Sequence, residues 1–438
     1  MYKKNFVIKK NDGILFSKIS GDTNKIHLDD DVGYNSLFGE KICHGSLILL
    51  KIFKILNINQ LIKNNYKNDI KIKFIKHFCY NKKIIIKSKE VKKNIIIELF
   101  QFNDLRGFVE IKYNEDFLNK SFNKISKKFT PKKNITSYYE KLNKMGTISM
   151  LLCTLTKYVG TIYPGENSII NEINIVINNS FNFDKKFIYI YSKKLDKRFP
   201  VILNKLTFGK YNLEFNTSER PILNHKLSKI NAQIKKKVNA IKENVLIIGA
   251  SSGIGFDVLN ILKINKKIKI FATYNKNKIQ INNENIFKVK IDITKNIHLI
   301  KKILKENQSL SIYYFATPKI NINSNNKNET RIYKNFYIDF PLKIISMGSN
   351  IKINFFYPST TFINEKDNSH YTQVKILGEY ALKKINSQKV NINICRISEV
   401  KTKQNLSLIP KKLPNFGDLL NNNKYYQKLF FLTDGNCN

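Results

Sequence analysis

The chain has 438 residues and a mass of 51.2 kDa, more than one hydrophobic core normally serves, so we expect two or three domains. Hydrophobic residues make up 42% and charged residues 25%, which excludes wholesale disorder. The formal charge of +43 comes from 76 Lys and Arg against 33 Asp and Glu. Because lysine is spread along the whole chain, we favour biased composition over a dedicated nucleic-acid surface.

The N-terminal segment and the cysteines indicate an unexported protein. The opening MYKKNFVIKKNDG lacks an apolar leader, and no uncharged apolar run approaches the roughly 18 residues that span a bilayer. The five cysteines are scattered and never form a CxxC pair, which argues against a disulfide framework and against a structural zinc site. We therefore expect a soluble, cytoplasmic protein without membrane contact.

Two polar, lysine-rich stretches divide the chain into three segments. The first stretch is 115–137 and the second is 224–244; neither keeps the apolar periodicity of its neighbours. The expected organisation is a domain at 1–118, a second half at 135–222, a basic helical linker at 223–243 and a domain at 244–438.

The first segment predicts one helix followed by a meander. Residues 44–62 carry apolar side chains on more than half of a helical surface, as a buried helix does. Four runs of near-alternating apolar residues follow: DIKIKFIKHF, KKIIIKSKEV, KNIIIELFQF and GFVEIKYNE. Short polar turns separate them, so an antiparallel sheet is predicted.

The second segment repeats this order. A helical stretch at about 138–158 precedes four more alternating runs, from SIINEINIVINNSF to YNLEFNTS. Such a repeat predicts two similar α+β halves whose sheets pair edge to edge, which would hide exposed strand edges.

The third segment changes period. The short apolar run VLIIGA precedes a glycine turn and the helical run GFDVLNILKIN, and then IKIFATY, IFKVKID and LSIYYFAT follow. This alternation is typical of a parallel, doubly wound sheet. A nucleotide-binding fold is therefore expected.

One constellation lies just before the first long helix. Asp22 and His27 are five residues apart in SGDTNKIHLD, and FGEKICHG leads into the helix at Gly45. A carboxylate and an imidazole at this spacing can converge on one substrate carbon, and N–H groups at a helix start can hold a carbonyl oxygen. Acid, base and oxyanion site are thus all predicted here.

These two runs resemble the signature of the MaoC-like, (R)-specific enoyl-CoA hydratase family of hotdog-fold proteins, with Lys25 where the family usually has Pro. The resemblance implies that Asp22 and His27 form the dyad that adds water to, or removes it from, a 2,3-enoyl thioester. It also implies that Asn24 orients the dyad and that the Gly45 N–H polarises the thioester carbonyl. His44 is interpreted as a structural residue. The second half has no such pattern, so it is expected to be noncatalytic and to line an acyl tunnel.

A second constellation lies in the third segment. Gly249, Gly253 and Gly255 follow a strand and open a helix, where glycines allow the backbone to approach a pyrophosphate. Tyr371 and Lys375 are four residues apart and share one helix face, with Ser359 twelve residues before Tyr371. The ammonium can then lower the phenol pKa while the serine positions a substrate oxygen.

These residues resemble the short-chain dehydrogenase/reductase family, with its G-x-x-x-G-x-G, Ser and Y-x-x-x-K motifs. The resemblance implies that Tyr371 donates a proton to the developing alkoxide, that Ser359 is its hydrogen-bond partner, and that Lys375 holds the nicotinamide ribose. No acidic residue follows the strand IKIFATY, which favours NADP(H) over NAD(H). The expected cofactor contacts are Gly249, Ser251, Ser252, Gly253, Ile254, Gly255, Thr273, Tyr274, Asn275, Asp292, Ala316, Tyr371, Lys375 and Thr402.

The predicted fold class is therefore an α+β double hotdog followed by an α/β Rossmann domain. The predicted function is a bifunctional acyl-thioester enzyme: an NADPH-dependent 3-oxoacyl reductase joined to an (R)-3-hydroxyacyl dehydratase/enoyl hydratase of fatty-acid or polyketide type, acting on coenzyme A or carrier-protein thioesters. Two alternatives stay open: a reductase for another carbonyl whose hotdog half only binds acyl groups, and a noncatalytic basic nucleic-acid adaptor. A homo-oligomer formed through the reductase domain is also left open.

Overall fold

The computed structural model divides the chain into two compact units. Unit 1 is Met1–Ile222 with Ser407–Pro410, and unit 2 is Leu223–Leu406 with Lys411–Asn438. The structure describes residues 2–62, 67–91, 94–114, 127–129, 146–194, 200–220, 227–318, 327–365, 367–405 and 411–430.

Within the described residues, unit 1 combines helices with one antiparallel sheet. Its helices are α1 (Lys10–Ser20), α2 (Lys25–Leu28), α3 (Asp30–Asn35), α4 (Gly45–Ile55), α5 (Ile58–Leu61) and α6 (Gly146–Lys157), the last continued by a π-helical turn, Tyr158–Ile162. Its strands are β1 (Tyr2–Val7), β2 (Lys67–Phe74), β3 (Lys83–Val91), β4 (Asn94–Gln101), β5 (Asp104–Asn114), β6 (Lys127–Phe129), β7 (Ser168–Ile177), β8 (Ile188–Lys194), β9 (Val201–Phe208) and β10 (Tyr211–Glu219).

The sheet of unit 1 is built from two halves with the same topology. Its order over the described strands is β1-β3-β4-β5-β2-β7-β10-β9-β8-β6. In each half a long helix precedes four strands, and the first of the four pairs with the fourth. The two first strands, β2 and β7, then pair with each other antiparallel, Ile70 opposite Ile175. The predicted edge-to-edge pairing is present.

The long helices and the inner face of the sheet share one hydrophobic core. Helix α4 buries nearly its whole surface, with Leu47, Leu49 and Ile52 fully covered. Helix α6 likewise buries Leu151 and Leu155. Because each such side chain contributes roughly 1.5–3 kcal/mol on burial, the helices are held mainly by this packing.

Unit 2 alternates strands and helices. Its described helices are α7 (Ala232–Asn239), α8 (Gly253–Leu262), α9 (Ile300–Lys305), α10 (Lys327–Lys334), α11 (Phe340–Met347), α12 (His370–Lys383), α13 (Phe416–Asn422) and α14 (Lys424–Phe430). Its strands are β11 (Asn244–Ile248), β12 (Ile270–Tyr274), β13 (Ile286–Lys290), β14 (Ser309–Tyr314), β15 (Lys352–Thr360) and β16 (Val390–Ile397).

The sheet of unit 2 is parallel in all five of its pairings. Its strand order is β13-β12-β11-β14-β15-β16, which is the 3-2-1-4-5-6 order of a Rossmann-like doubly wound fold. The switch point of that order lies between β11 and β14. In such folds the ligand lies at the carboxyl ends of the strands beside this point.

The expected linker at 223–243 is different from a simple connection. It contains helix α7, and Ile234 and Val238, four residues apart, are fully buried in a core of unit 2. Asn231 caps the helix by accepting a hydrogen bond from the Ile234 N–H at 2.9 Å. This stretch is therefore part of unit 2.

Two stretches with predicted features lie partly outside the described residues. Helix α6 begins at Gly146, and residues 138–145 of the predicted helical stretch lie outside the described residues. Most of the polar stretch 115–137 does as well. Among the helices that are described, none is long and apolar enough to cross a membrane.

Candidate functional site

Asp22 is buried at the end of the first helix and is held from several sides. Gly21 ends α1 with φ of 78°, a left-handed conformation that glycine adopts freely, and the chain then turns inward. The Asp22 side chain accepts a hydrogen bond from the Asn24 N–H at 3.1 Å and another from the Thr156 hydroxyl at 2.6 Å. The residue is 1% exposed, so its carboxylate has a fixed orientation.

His27 faces the same place from the short helix α2. The Asn24 side chain caps this helix by accepting from the Ile26 N–H at 3.2 Å. The Nδ1 atom of His27 lies 3.0 Å from the Ile42 carbonyl, which leaves Nε2 for other partners. Asn24 thus holds both members of the pair, through its backbone N–H and its helix cap.

His44 brings a second imidazole to this cluster. It is fully buried, and its ring stacks on His27 with centroids 4.0 Å apart. Its Nδ1 lies 3.2 Å from the Tyr80 hydroxyl, and its Nε2 lies 4.0 Å from the Asp22 carboxylate. Among the described residues Nε2 has no partner of normal hydrogen-bond geometry. Buried polar atoms are rarely left unpaired, so this nitrogen marks a position for a ligand or water.

The three side chains form one site at the start of α4. One ligand-type atom each from Asp22, His27 and His44 lies within 4.8 Å of the other two. Helix α4 begins at Gly45, whose N–H has no acceptor within the helix. The expected dyad, its orienting asparagine and the expected oxyanion donor are therefore brought to one region. His44, which the sequence interpretation treated as structural, belongs to it too.

Burial sets the protonation of the two imidazoles. It lowers the pKa of His27, against the opposing influence of the Asp22 carboxylate and the Ile42 carbonyl. It lowers the pKa of His44 well below the ordinary range, and the neighbouring His27 acts in the same direction. Both rings are then neutral near pH 7 and can accept protons.

The second half of unit 1 contributes directly to this site. Thr156 belongs to α6, and Gly160 follows it in the π-helical turn. A Cβ atom on Gly160 would lie 2.1 Å from the Asp22 carboxylate, so only glycine fits there. Arg220, which follows β10, also lowers the pKa of His27. These residues carry no local motif and were missed by sequence reasoning.

The glycine turn of unit 2 forms a cradle. Gly249 and Gly253 have φ of 85° and 60°, and a Cβ on Gly249 would lie 2.8 Å from the Ala316 nitrogen. A Cβ on Gly255 would lie 2.2 Å from the Gly249 carbonyl oxygen. Helix α8 begins at Gly253 with Ser252 as its N-cap. A side chain at Gly249 or Gly255 would collide with this backbone, so the glycines permit the tight turn that brings the start of α8 close to the sheet, as the glycine turns that hold a pyrophosphate require.

Four other expected cofactor contacts lie on or beside this turn. Ser251 and Ile254 are half-buried on the turn, and Thr402 lies next to Gly253. Thr273 is buried, and its hydroxyl accepts the Gly249 N–H at 3.0 Å, so it supports the turn from below.

The end of β12 offers positive charge and polar atoms. Asn275, Lys276 and Lys278 are exposed there beside half-buried Tyr274. Burial raises the pKa of Asp292, but hydrogen bonds from Thr294 and Asn275 hold it below its usual range. Cations at this strand end fit a 2′-phosphate.

The expected Ser-Tyr pair is arranged differently. Ser359 donates a hydrogen bond to Glu379 at 2.6 Å, and Glu379 is paired with Arg396. The side chain of Thr360 instead lies beside the Tyr371 phenol and lowers its pKa against the effect of burial. Because successive side chains of a strand point to opposite faces, Ser359 and Thr360 cannot both face Tyr371. The hydroxyl side chain beside Tyr371 is thus that of Thr360, and Ser359 contacts Glu379 instead.

Lys375 lies in an aromatic enclosure. Its ammonium donates to the Pro358 carbonyl at 2.6 Å and lies 4.0 Å from the ring centre of Tyr337 and 5.9 Å from that of Tyr371. Burial lowers the pKa of Lys375 to about 7. Burial also raises the pKa of Tyr371, which is the opposite of the expected lowering, so the phenol stays protonated at pH 7.

Comparisons with known proteins find resemblance in structure only. No protein-family model matches the chain, and no curated protein matches it in sequence. One similar structure is a short-chain dehydrogenase from Burkholderia cenocepacia J2315 in complex with NADP, at 13% identity and a TM-score of 0.33, which covers 39% of this chain and 78% of that one.

Two further structures are also similar to parts of the chain. A short-chain dehydrogenase family protein from Francisella tularensis is 20% identical with a TM-score of 0.30, over 37% of this chain and 72% of that one. An (R)-hydratase from A. caviae involved in PHA biosynthesis is 17% identical with a TM-score of 0.22, over 25% of this chain and 92% of that one. Similarity at this level does not carry chemistry, which has to be inferred from the side chains described above.

We expect the free energy of unfolding of unit 1 to fall on acidification. Both imidazoles have folded-state pKa values below the ordinary 6.5. Below about pH 6.5 the unfolded chain binds their protons and the folded unit does not, so stability decreases by up to about 1.4 kcal/mol per pH unit for each histidine. Urea unfolding from pH 5 to 8, followed by NMR signals of unit 1, measures the slope.

In the His44→Gln variant, the free energy of unfolding should decrease less steeply on acidification, because the contribution of one of the two histidines is removed. Replacement of His298, which is exposed in unit 2, should leave it unchanged. A slope that is the same in the wild type and in His44→Gln would contradict a neutral, buried His44.

Proposed function

We propose that the protein is a bifunctional acyl-thioester enzyme. Unit 1, with a double-hotdog architecture, interconverts (R)-3-hydroxyacyl and trans-2-enoyl thioesters, and unit 2 reduces 3-oxoacyl thioesters with NADPH. The observation that carries the proposal is the convergence of Asp22, His27 and His44 at the first N–H of a buried helix. A carboxylate, a neutral imidazole and an oxyanion donor are the groups that this elimination needs.

In the elimination direction, the thioester oxygen would lie against the Gly45 N–H. The hydrogen bond and the positive end of α4 stabilise the negative charge that grows on this oxygen as the C2 proton leaves. Neutral His27 accepts the proton, and Asp22 orients the C3 hydroxyl. The proton is returned to the departing hydroxyl, so water is the only co-product. Hydration reverses these steps.

In unit 2, the protonated Tyr371 would donate its proton to the alkoxide that forms at the former carbonyl oxygen. The side chain of Thr360 lies beside the phenol and lowers its pKa. The glycine cradle and the start of α8 would hold the pyrophosphate of NADPH, and Lys375 would hold the ribose. Bound NADPH would supply the hydride that reaches the carbonyl carbon.

The two reactions are consecutive. The 3-hydroxyacyl product of reduction is the substrate for elimination, and a shared chain raises its effective concentration at the second site. Coenzyme A and carrier-protein thioesters share this reactive end, so assays with both identify the carrier.

Single substitutions in units 1 and 2 should separate the two proposed activities. Asp22→Asn should lower crotonyl-thioester hydration by about 10²-fold, because the carboxylate that orients the C3 oxygen beside His27 is lost, and should leave NADPH oxidation by 3-oxoacyl thioesters intact. Tyr371→Phe should do the reverse by a similar factor. Absorbance of the enoyl thioester and of NADPH follows both steps. Unchanged hydration in Asp22→Asn would contradict the role of this carboxylate, and a wild-type protein that does not hydrate the thioester would mean that unit 1 only binds acyl groups.

Gly160 should be required for hydration because it lies against the Asp22 carboxylate. The Gly160→Ala variant places a methyl group where the Asp22 carboxylate lies and should lower hydration by about 10²-fold, as a displacement near 1 Å can. NADPH oxidation should not change. Thr161→Ala in the same turn is the control, since the Thr161 hydroxyl bonds the Lys157 carbonyl instead. Equal rates for both alanine variants would contradict the role of this contact.

Substitutions of Thr360 and Ser359 should have different effects on the rate of reduction. Thr360→Val removes the hydroxyl beside Tyr371 and should lower the rate of reduction by about tenfold, the size of effect that the loss of one hydrogen bond to the proton donor would have. Ser359→Ala should mainly cost stability, about 1–3 kcal/mol, because Glu379 loses a donor. A larger rate loss in Ser359→Ala than in Thr360→Val would restore the serine to the expected role.

A further inference from the structure

A second cluster of side chains lies outside the proposed catalytic site. Glu40 follows the loop after α3, and His77 and Cys79 follow β2. One ligand-type atom of each lies within 4.8 Å of the other two, and the Cys79 sulfur lies 3.0 Å from the Glu40 carboxylate. Residues two apart on an extended segment point to the same side, which explains why His77 and Cys79 converge.

The backbone that carries two of these residues is held firmly. Gln101 donates to the Cys79 carbonyl at 3.1 Å and accepts the Cys79 N–H at 2.8 Å. Arg106 donates to the His77 carbonyl at 2.7 Å, and the Cys43 N–H donates to the Phe78 carbonyl at 2.8 Å. Each carbonyl from His77 to Cys79 thus has a partner. Ligands on such a restrained segment lose little freedom when they bind an ion.

The chemistry of the three groups is that of a zinc ligand set. Thiolate, imidazole and carboxylate all bind Zn²⁺, whereas Mg²⁺ and Ca²⁺ prefer oxygen alone. Cys79 is 1% exposed while Glu40 is exposed, so the cluster opens to solvent on one side. Three protein ligands and one open position are typical of zinc sites that keep a water molecule.

We propose that Glu40, His77 and Cys79 bind a divalent transition metal ion, with Zn²⁺ as the preferred ion. On binding, the Cys79 S–H bond breaks, a metal–sulfur bond forms, and the proton leaves to solvent by way of the Glu40 carboxylate that now accepts it. The two negative charges of thiolate and carboxylate then balance the charge of the ion.

Metal binding at this site would restrain the segment around Ile42, which contacts His27 of the proposed catalytic site. Ile42 forms an isolated bridge with Cys79, and its carbonyl lies 3.0 Å from Nδ1 of His27. A metal ion that links Glu40 to Cys79 therefore restrains the segment that fixes the orientation of His27. The metal site itself does not depend on the proposed reaction.

Cobalt is the direct probe. The full-length protein, first treated with a chelator and a thiol reductant, is titrated with Co²⁺ and then with Zn²⁺. We expect one ion per chain, a near-ultraviolet charge-transfer band from a thiolate–cobalt bond, and loss of that band when Zn²⁺ replaces Co²⁺. Zn²⁺ should also raise the melting temperature of unit 1.

Variants test each ligand. Cys79→Ser should abolish the charge-transfer band, and His77→Ala and Glu40→Gln should weaken Co²⁺ binding by more than about tenfold, the loss that even an outer-shell partner causes. Glu40→Gln changes an exposed side chain, so it tests the site if Cys79→Ser does not fold. Cys395→Ser, at a buried free cysteine of unit 2, and His298→Ala are matched controls that should bind as the wild type does.

Three outcomes overturn the proposal: a titration without a charge-transfer band, a band that persists in Cys79→Ser, or equal affinity in Glu40→Gln and the wild type. The activities of units 1 and 2 are measured separately, so loss of hydration in Asp22→Asn neither supports nor contradicts metal binding.

Discussion

The position of the Asp22 carboxylate depends on close contact between the two halves of unit 1. The Thr156 hydroxyl and the bare Cα of Gly160 both come from the second half, and both lie against this carboxylate. The contact requires that the helices lie close together on one continuous sheet, which the pairing of β2 with β7 provides. The geometry of the candidate site therefore depends on the pairing of the strands and on the packing of the helices of unit 1.

Local patterns in the sequence were sufficient for α4, for the four main strands of each half of unit 1 and for the first residues of the site, whereas β1 and α1 were not predicted. Strict alternation in β2 predicted a strand with one buried face, and Ile70 and Ile72 are indeed fully buried. The spacing of Asp22, His27 and Gly45 likewise placed them together, because all three lie within one loop–helix unit. The helix in the expected linker also had a visible signal, since Ile234 and Val238 share a helix face.

The remaining features depend on contacts that no local pattern records. Thr156 is 134 residues from Asp22, and nothing near Gly160 distinguishes it from a helix-weakening glycine. Ser359 and Thr360 are adjacent, and which of them faces Tyr371 depends on the partner of the other, the buried Glu379. Glu40 lies in one segment of the chain and His77 and Cys79 lie in another. A search for short motifs such as CxxC therefore could not find this cluster.

Covalent continuity between the halves has a thermodynamic consequence. In an assembly of two separate chains, each equivalent to one half of unit 1, a site with contributions from both would be lost as the partners dissociate on dilution. Here Asp22, Thr156 and Gly160 belong to one polypeptide, so these contacts do not require the association of a second chain. Only one of the two halves then has to keep a carboxylate and an imidazole, and the other is free to vary in the shape of its inner surface.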